Sequence, residues 1–209
     1  MSDGQVELDT VRAAELVSDL RKLRGSPCRG CQKVTCAHEA LMGHALGYKR
    51  EAYCASCLAG LVERDAEELR NHLLSYVLSR PCHHAGWLWA AQDEGFSAGA
   101  LPTCLWPAAS GAPVDSIQPG AAVREEPPMR EASANEIAPH AVWDAGDMGC
   151  GDLVLELRQR LATMSAGDVL LLTARDPGAP EDLPAWCGLT RHKLLASQHP
   201  RYWIARRKD

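Results

Sequence analysis

Between residues 141 and 207 the hydrophobic pattern changes period in an order that few folds satisfy. A short apolar start at 141–143 gives way to turn residues over 144–149, after which Leu153, Val154, Leu157, Leu161 and Met164 recur at helical spacing. Gly167 ends that helix. Residues 169–173 are a continuous apolar run, the pattern of a strand buried on both faces, and Asp176-Pro177-Gly178 breaks it with turn chemistry. A second helix is predicted over 180–191, with Glu181 and Asp182 in the first turn, where carboxylates favour the helix dipole. Two last strands fit 192–197 and 202–206, with 198–201 as the turn. The order is βαβαββ, an α+β two-layer sandwich with both helices on one face of the sheet.

Cys150 falls at the junction where the first strand ends and the first helix begins. The free N–H groups and dipole of a helix N-terminus push a thiol toward the reactive thiolate, which makes Cys150 the candidate nucleophile. Asp152, two residues on, opposes that ionisation. Cys187 lies inside the second predicted helix beside Trp186 and reads as a packed thiol.

Three stretches of this segment give it a resemblance to a known family: Gly149-Cys150 opening the first helix, Asp176-Pro177 followed by Asp182-Leu183-Pro184-Ala185-Trp186-Cys187, and the terminal Ile204-Ala205-Arg206-Arg207. In these residues, their order and their spacing, the C-terminal third resembles the TusA/SirA-like sulfur carriers, also called sulfurtransferases of the TusA type. The resemblance implies the same βαβαββ sandwich and a persulfide carried on Cys150, received from a donor protein such as a cysteine desulfurase and passed to an acceptor protein. The family opens this helix with Cys-Pro-x-Pro. Here the corresponding residues are Cys150, Gly151, Asp152 and Leu153, so both prolines are missing and Gly151 leaves the helix start looser, by about 1 kcal/mol.

Residues 5–96 hold six of the nine cysteines. Cys28-Arg29-Gly30-Cys31 and Cys54-Ala55-Ser56-Cys57 repeat one spacing. Two residues between ligands let a tight turn aim both sulfurs at one ion, and two such knuckles complete a tetrahedral Zn²⁺ site. Cys28, Cys31, Cys54 and Cys57 are therefore the expected metal ligands. Cys28, Cys31 and Cys36 could instead hold three corners of an iron–sulfur cluster. His38, Cys82 and His83 are further candidate ligands, although adjacent His83 and His84 diverge too far on a helix to meet one ion. Around the knuckles, helices are predicted over 8–24, from Asp65 until Pro81, and over 82–92, with Asp65 and Glu68 as a capping-box-like start. His72 reads as a packed or surface histidine, and Trp87 and Trp89 as residues that close the small bundle.

Residues 97–140 are rich in Ala, Pro, Gly and Ser and show no sustained period, so they read as a linker, with Cys104 and Trp106 either exposed or docked back on a domain. The expected organisation is a helical cysteine-rich module at 5–96, the linker at 97–140 and the sulfur-carrier domain at 141–209. A net charge of −5 argues against a general nucleic-acid-binding surface. No stretch reaches the roughly 20 apolar residues of a membrane span, and residues 1–5 lack signal-peptide character, so a cytoplasmic protein with reduced thiols is expected. No phosphate-cradling glycine loop, dinucleotide fingerprint or HExxH motif is present. Two functions remain open at this point. One is a sulfur carrier working through Cys150; the other is a non-catalytic, zinc-containing interaction or regulatory protein with a degenerate TusA-like docking domain.

Overall fold

The computed structural model describes residues 3–117 and 137–208, giving residues 3–9 and Cys150 by their backbone alone. The chain divides into two compact units, with the division between residues 120 and 121.

The first unit is helical: α1 (Asp3–Leu23), α2 (Ala37–Ala45), α3 (Ala55–Leu61), α4 (Ala66–Ser79) and α5 (Pro81–Asp93). Helix α1 stops where Gly25 takes φ +76° and donates its N–H to the Thr35 carbonyl. The Asp65 carboxylate caps α4 by accepting the Glu67 and Glu68 N–H groups at 2.8 and 3.0 Å. Pro81 then opens α5 in the first turn, where its missing N–H costs nothing.

Helix α2 has no counterpart in the predicted elements. All nine of its residues are buried, including His38, Glu39 and His44. A helix covered on every side carries no amphipathic stripe, so periodicity cannot reveal it. Cys36 caps it with a capping box in which sulfur replaces the usual hydroxyl. Its Sγ accepts the Glu39 N–H at 3.4 Å, and the Glu39 carboxylate accepts the Cys36 N–H at 3.2 Å. Helix α5 packs close to α1 and α2 at Gly86, where a Cβ would lie 2.8 Å from Leu16 and 3.1 Å from Leu41.

The helical unit does not end at residue 96. Residues 97–117, predicted as the start of the linker, fold onto it through two short 3₁₀ turns at Pro107–Ala109 and Val114–Ser116. Leu101, Leu105 and Trp106 are buried there, and the Trp106 indole donates to Asn71 Oδ1 at 3.1 Å. Pro102, Pro107 and Pro113, three of the prolines that suggested a linker, open turns in this segment. The rest of the predicted linker, residues 118–136, lies outside the described residues.

The second unit has β1 (Ala141–Gly146), α6 (Cys150–Thr163), β2 (Val169–Ala174), α7 (Ala179–Thr190), β3 (Lys193–Gln198) and β4 (Arg201–Ala205). This is the predicted βαβαββ order. The sheet runs β1-β2-β4-β3, with β1 and β2 parallel and the other neighbours antiparallel. Alternation sorts β2 and β4 between two faces. Leu170, Leu172, Ala174, Tyr202 and Ile204 meet Leu153, Leu157 and Leu161 of α6 and Leu183, Trp186 and Cys187 of α7. The other face carries a smaller apolar cluster of Val169, Trp203 and Ala205. Strand β2 is buried on its helix-facing side, whereas on the other side Val169 is buried and Leu171 and Thr173 are only half-buried, so its unbroken apolar run overstates the burial of that face. Strand β1 runs three residues beyond its predicted end, because Asp144 and Gly146 keep pairing with β2 across a bulge.

Two outcomes test this description. Trp106→Ala should lower the stability of the helical unit by about 3–5 kcal/mol in urea unfolding, whereas truncation of exposed Leu88 should cost under about 0.5 kcal/mol. Equal, small effects would return residues 97–117 to a linker. His44 and His83 are buried with their rings 5.7 Å apart, and burial brings both down to about 3. Their folded values lie below the unfolded value of 6.5, so stability is lost as pH falls from 6.5 toward 3. The slope of unfolding free energy against pH in that window should fall by one proton in His83→Leu.

Candidate functional site

In the second unit the candidate sulfur lies where β1 hands over to α6. The end of β1 is tied to the end of β2 by a small polar knot. The Arg175 guanidinium donates to both Asp144 carboxylate oxygens at 3.0 and 2.7 Å, and the Arg175 backbone N–H donates to the Gly146 carbonyl at 2.8 Å. Asp144 Oδ1 also accepts the Gly146 N–H at 2.9 Å, where Gly146 turns the chain with φ +61°. The Arg175 hydrogen bonds hold the Asp144 carboxyl below its ordinary range. The chain then turns through Met148, whose N–H donates to Ala145, and reaches Gly149, the extended N-cap of α6.

Cys150 is the first residue of α6, as the sequence predicts. Gly149 has no side chain with which to cap the helix, and helical geometry leaves the first-turn N–H groups without intrahelical partners. Such amides are suited to stabilising a sulfur anion. The Cys150 side chain itself lies outside the described residues. Leu153, three residues on, is buried in the core. At the position of the family's second proline the chain therefore uses a packing residue.

The four cysteines of the two knuckles come together in the first unit. The sulfurs of Cys28, Cys31, Cys54 and Cys57 lie within 4.8 Å of one another. Cys31 and Cys54 are 3.6 Å apart, against the roughly 3.8 Å edge of a tetrahedron with metal–sulfur bonds of about 2.3 Å. A bridge between Pro27 and Val34 closes the first knuckle, and Gln32 turns it with φ +65°. The Arg29 N–H donates to the Ala52 carbonyl, joining the first knuckle to the second. The Cys54 N–H donates to Cys28 Sγ at 3.3 Å. A Cβ on Gly30 would lie 2.7 Å from Cys57 Sγ, so only glycine leaves room for the sulfurs to converge.

The electrostatics of this set are uneven. Burial opposes ionisation of Cys28, but N–H groups of Cys54, Cys31 and Gly30 and the Cys57 thiol bring it down to about 6. Burial pushes Cys54 and Cys57 up. Four thiols that cannot ionise together without a counter-charge are the donor set a soft divalent cation would neutralise. The cluster could hold a metal ion, and the residues present fit one.

The remaining sequence candidates separate. Cys36 does not join Cys28 and Cys31, so that three-cysteine cluster set is not assembled; Cys36 lies instead with His38 and Cys104. Cys82 lies 3.6 Å from Nδ1 of its neighbour His83, whose buried ring packs against His44 and Tyr76, and neither joins a metal cluster of the described residues. Cys187 is buried among core residues, its thiol pushed up to about 12 by burial. The His72 Nδ1–H donates to the Glu68 carbonyl on its own helix at 2.9 Å, and Trp87 is a core residue. Cys104 is the residue that sequence reasoning missed as a candidate ligand. Its one signal was the apolar pair Leu105-Trp106 beside it in an otherwise polar, proline-rich stretch.

Gly30→Ala should lower both metal content and the thermal midpoint of the helical unit, measured by metal analysis and circular dichroism. Unchanged metal content would show that the knuckles do not close around an ion.

Comparison with known proteins places the second unit. The family described as "Sulfurtransferase TusA" matches residues 142–206. The protein "Sulfur carrier protein TusA" of Pseudomonas putida strain GB-1 is 33% identical over 78 residues, which span 35% of this chain and 98% of that relative. The protein of the same name from Pseudomonas entomophila strain L48 is 33% identical over 73 residues, 33% of this chain and 91% of the relative. Both matches cover about a third of the chain and nearly all of a relative. Through its C-terminal third, the chain belongs to the TusA family.

Proposed function

We propose that this protein is a sulfur carrier in which Cys150 takes a sulfane sulfur from a donor persulfide and passes it to an acceptor protein. The observation that carries the reading is the placement of Cys150 as the first residue of α6, in a domain aligned with a sulfur carrier protein over 98% of that relative's length. In the first half-reaction the Cys150 thiolate attacks the terminal sulfur of the donor's persulfide. A sulfur–sulfur bond forms to Cys150, the donor's sulfur–sulfur bond breaks, and the donor cysteine leaves as a thiolate. In the second, an acceptor thiolate attacks the sulfane sulfur on Cys150 and releases the Cys150 thiolate. Each step exchanges one sulfur–sulfur bond for another, so no external oxidant or reductant is consumed.

The first-turn amides of α6 favour the anionic sulfur in both states, and Asp152 is the one acidic residue in that turn. A cysteine desulfurase is the class of donor that supplies such a persulfide, and the cytoplasm is the compartment that keeps Cys150 and the knuckle cysteines reduced. The four-cysteine site holds Zn²⁺ in this reading, favoured over iron by two equal pairs that fill four positions without remainder. Its contribution is structural: a bound ion stabilises the knuckles, and no step of sulfur transfer passes through it.

Sulfur transfer from a persulfide donor to an acceptor thiol should fall to the protein-free rate in Cys150→Ser. It should be unchanged in Cys187→Ser, because that thiol is buried. Equal rates for the wild-type protein and Cys150→Ser would instead support a non-catalytic docking domain.

A further inference from the structure

A second cluster of metal-ligating groups lies in the helical unit, separate from the four-cysteine set. Cys36, His38 and Cys104 bring one ligand atom each to within 4.8 Å of one another. They come from two distant stretches of chain: Cys36 is the N-cap of α2, His38 is in its first turn, and Cys104 is in the folded segment after α5. His38 Nδ1 and Cys104 Sγ are 3.7 Å apart. For a tetrahedral ion with sulfur at about 2.3 Å and nitrogen at about 2.0–2.1 Å, the expected separation is about 3.5 Å.

The surroundings fix the ring and the sulfur in ligating orientations. His38 is buried, with its ring edge-to-face against Trp87 at 4.8 Å and against Phe96 at 6.0 Å. Its Nε2 is a buried atom with no hydrogen-bond partner among the described residues. The Nδ1 of this buried imidazole faces the Cys104 thiol, in the position from which it would bind a cation shared with that sulfur. Cys36 Sγ already accepts the Glu39 N–H, the type of amide–sulfur bond that the Cys54 N–H makes to Cys28. Glu39 also links the two clusters, since its carboxylate accepts the N–H groups of Cys36 and of Ala55, the residue after Cys54.

We propose that Cys36, His38 and Cys104 form a second zinc site with three protein ligands and one exchangeable position. Two sulfurs and one imidazole suit Zn²⁺, and three protein ligands leave the fourth corner to water. Of the three, Cys36 also lines a groove of about 510 Å³ bordered by Arg21, Arg24, Thr35 and Glu94. The site ties residues 97–117 to α2 through Cys104, adding to the apolar anchoring of that segment by Leu101, Leu105 and Trp106. It does not depend on sulfur loading at Cys150.

The test is the zinc content of the full-length protein and of Cys104→Ser, after gel filtration from zinc-supplemented buffer. The expected result is one zinc fewer per chain in Cys104→Ser, with the helical circular-dichroism signal retained. Cys54→Ser is the control that depletes the four-cysteine site and should leave the Cys104-dependent zinc in place. If Cys104→Ser does not fold, titration of the metal-free wild-type protein with Co²⁺ replaces it. The expected result is then a second equivalent whose thiolate charge-transfer absorption is about half that of the four-sulfur site. Equal zinc in the wild type and a folded Cys104→Ser would overturn the proposal, as would a Cys36–Cys104 disulfide in protein without that zinc, or saturation at one cobalt.

Discussion

Parallel pairing of β1 with β2 is the constraint on which the C-terminal unit depends. Two neighbouring parallel strands cannot be joined by a hairpin, so the chain must cross over the sheet between them, and here the crossover is α6. The crossover helix must start just beyond the end of β1, which sets Cys150 at the rim of the sheet with the helix N-terminus behind it. The core then holds the helix in place: Leu153, Leu157 and Leu161 pack on Leu170, Leu172 and Ile204. Leu153, in the first turn of α6, anchors the helix start in the core.

The helical unit solves a different problem. Its central helix α2 is enclosed on all sides yet carries two histidines and a glutamate. Such groups are costly to bury unless each is paired or neutral. Glu39 accepts N–H groups at both Cys36 and Ala55, and Lys33 approaches its carboxylate at 3.6 Å. Burial keeps His44 and His83 neutral. The cysteine clusters sit at the ends of these short helices, where a bound ion would replace the apolar area that seven- and nine-residue helices are too short to bury.

What could be read from the sequence follows from the range of the interactions involved. The α6 stripe, the apolar run of β2, the Asp65 cap and the paired cysteine spacing are local patterns, and each describes its element directly. Helix α2 was illegible because total burial erases the period that marks a helix. Residues 97–117 were misread because proline and glycine signal turns equally in a linker and in a folded strap, and only the long-range contacts of Leu101, Leu105 and Trp106 distinguish the two. Cys104 was missed for the same reason, since 66 residues separate it from His38. The four-cysteine site escaped that limit because each half of it repeats a short spacing.

The most direct measurement is peptide mass spectrometry of the full-length protein after incubation with a cysteine desulfurase and cysteine. The account predicts a gain of one sulfur on the peptide containing Cys150, removed by a reducing thiol. Sulfur found only on the knuckle cysteines, or on no peptide at all, would contradict it.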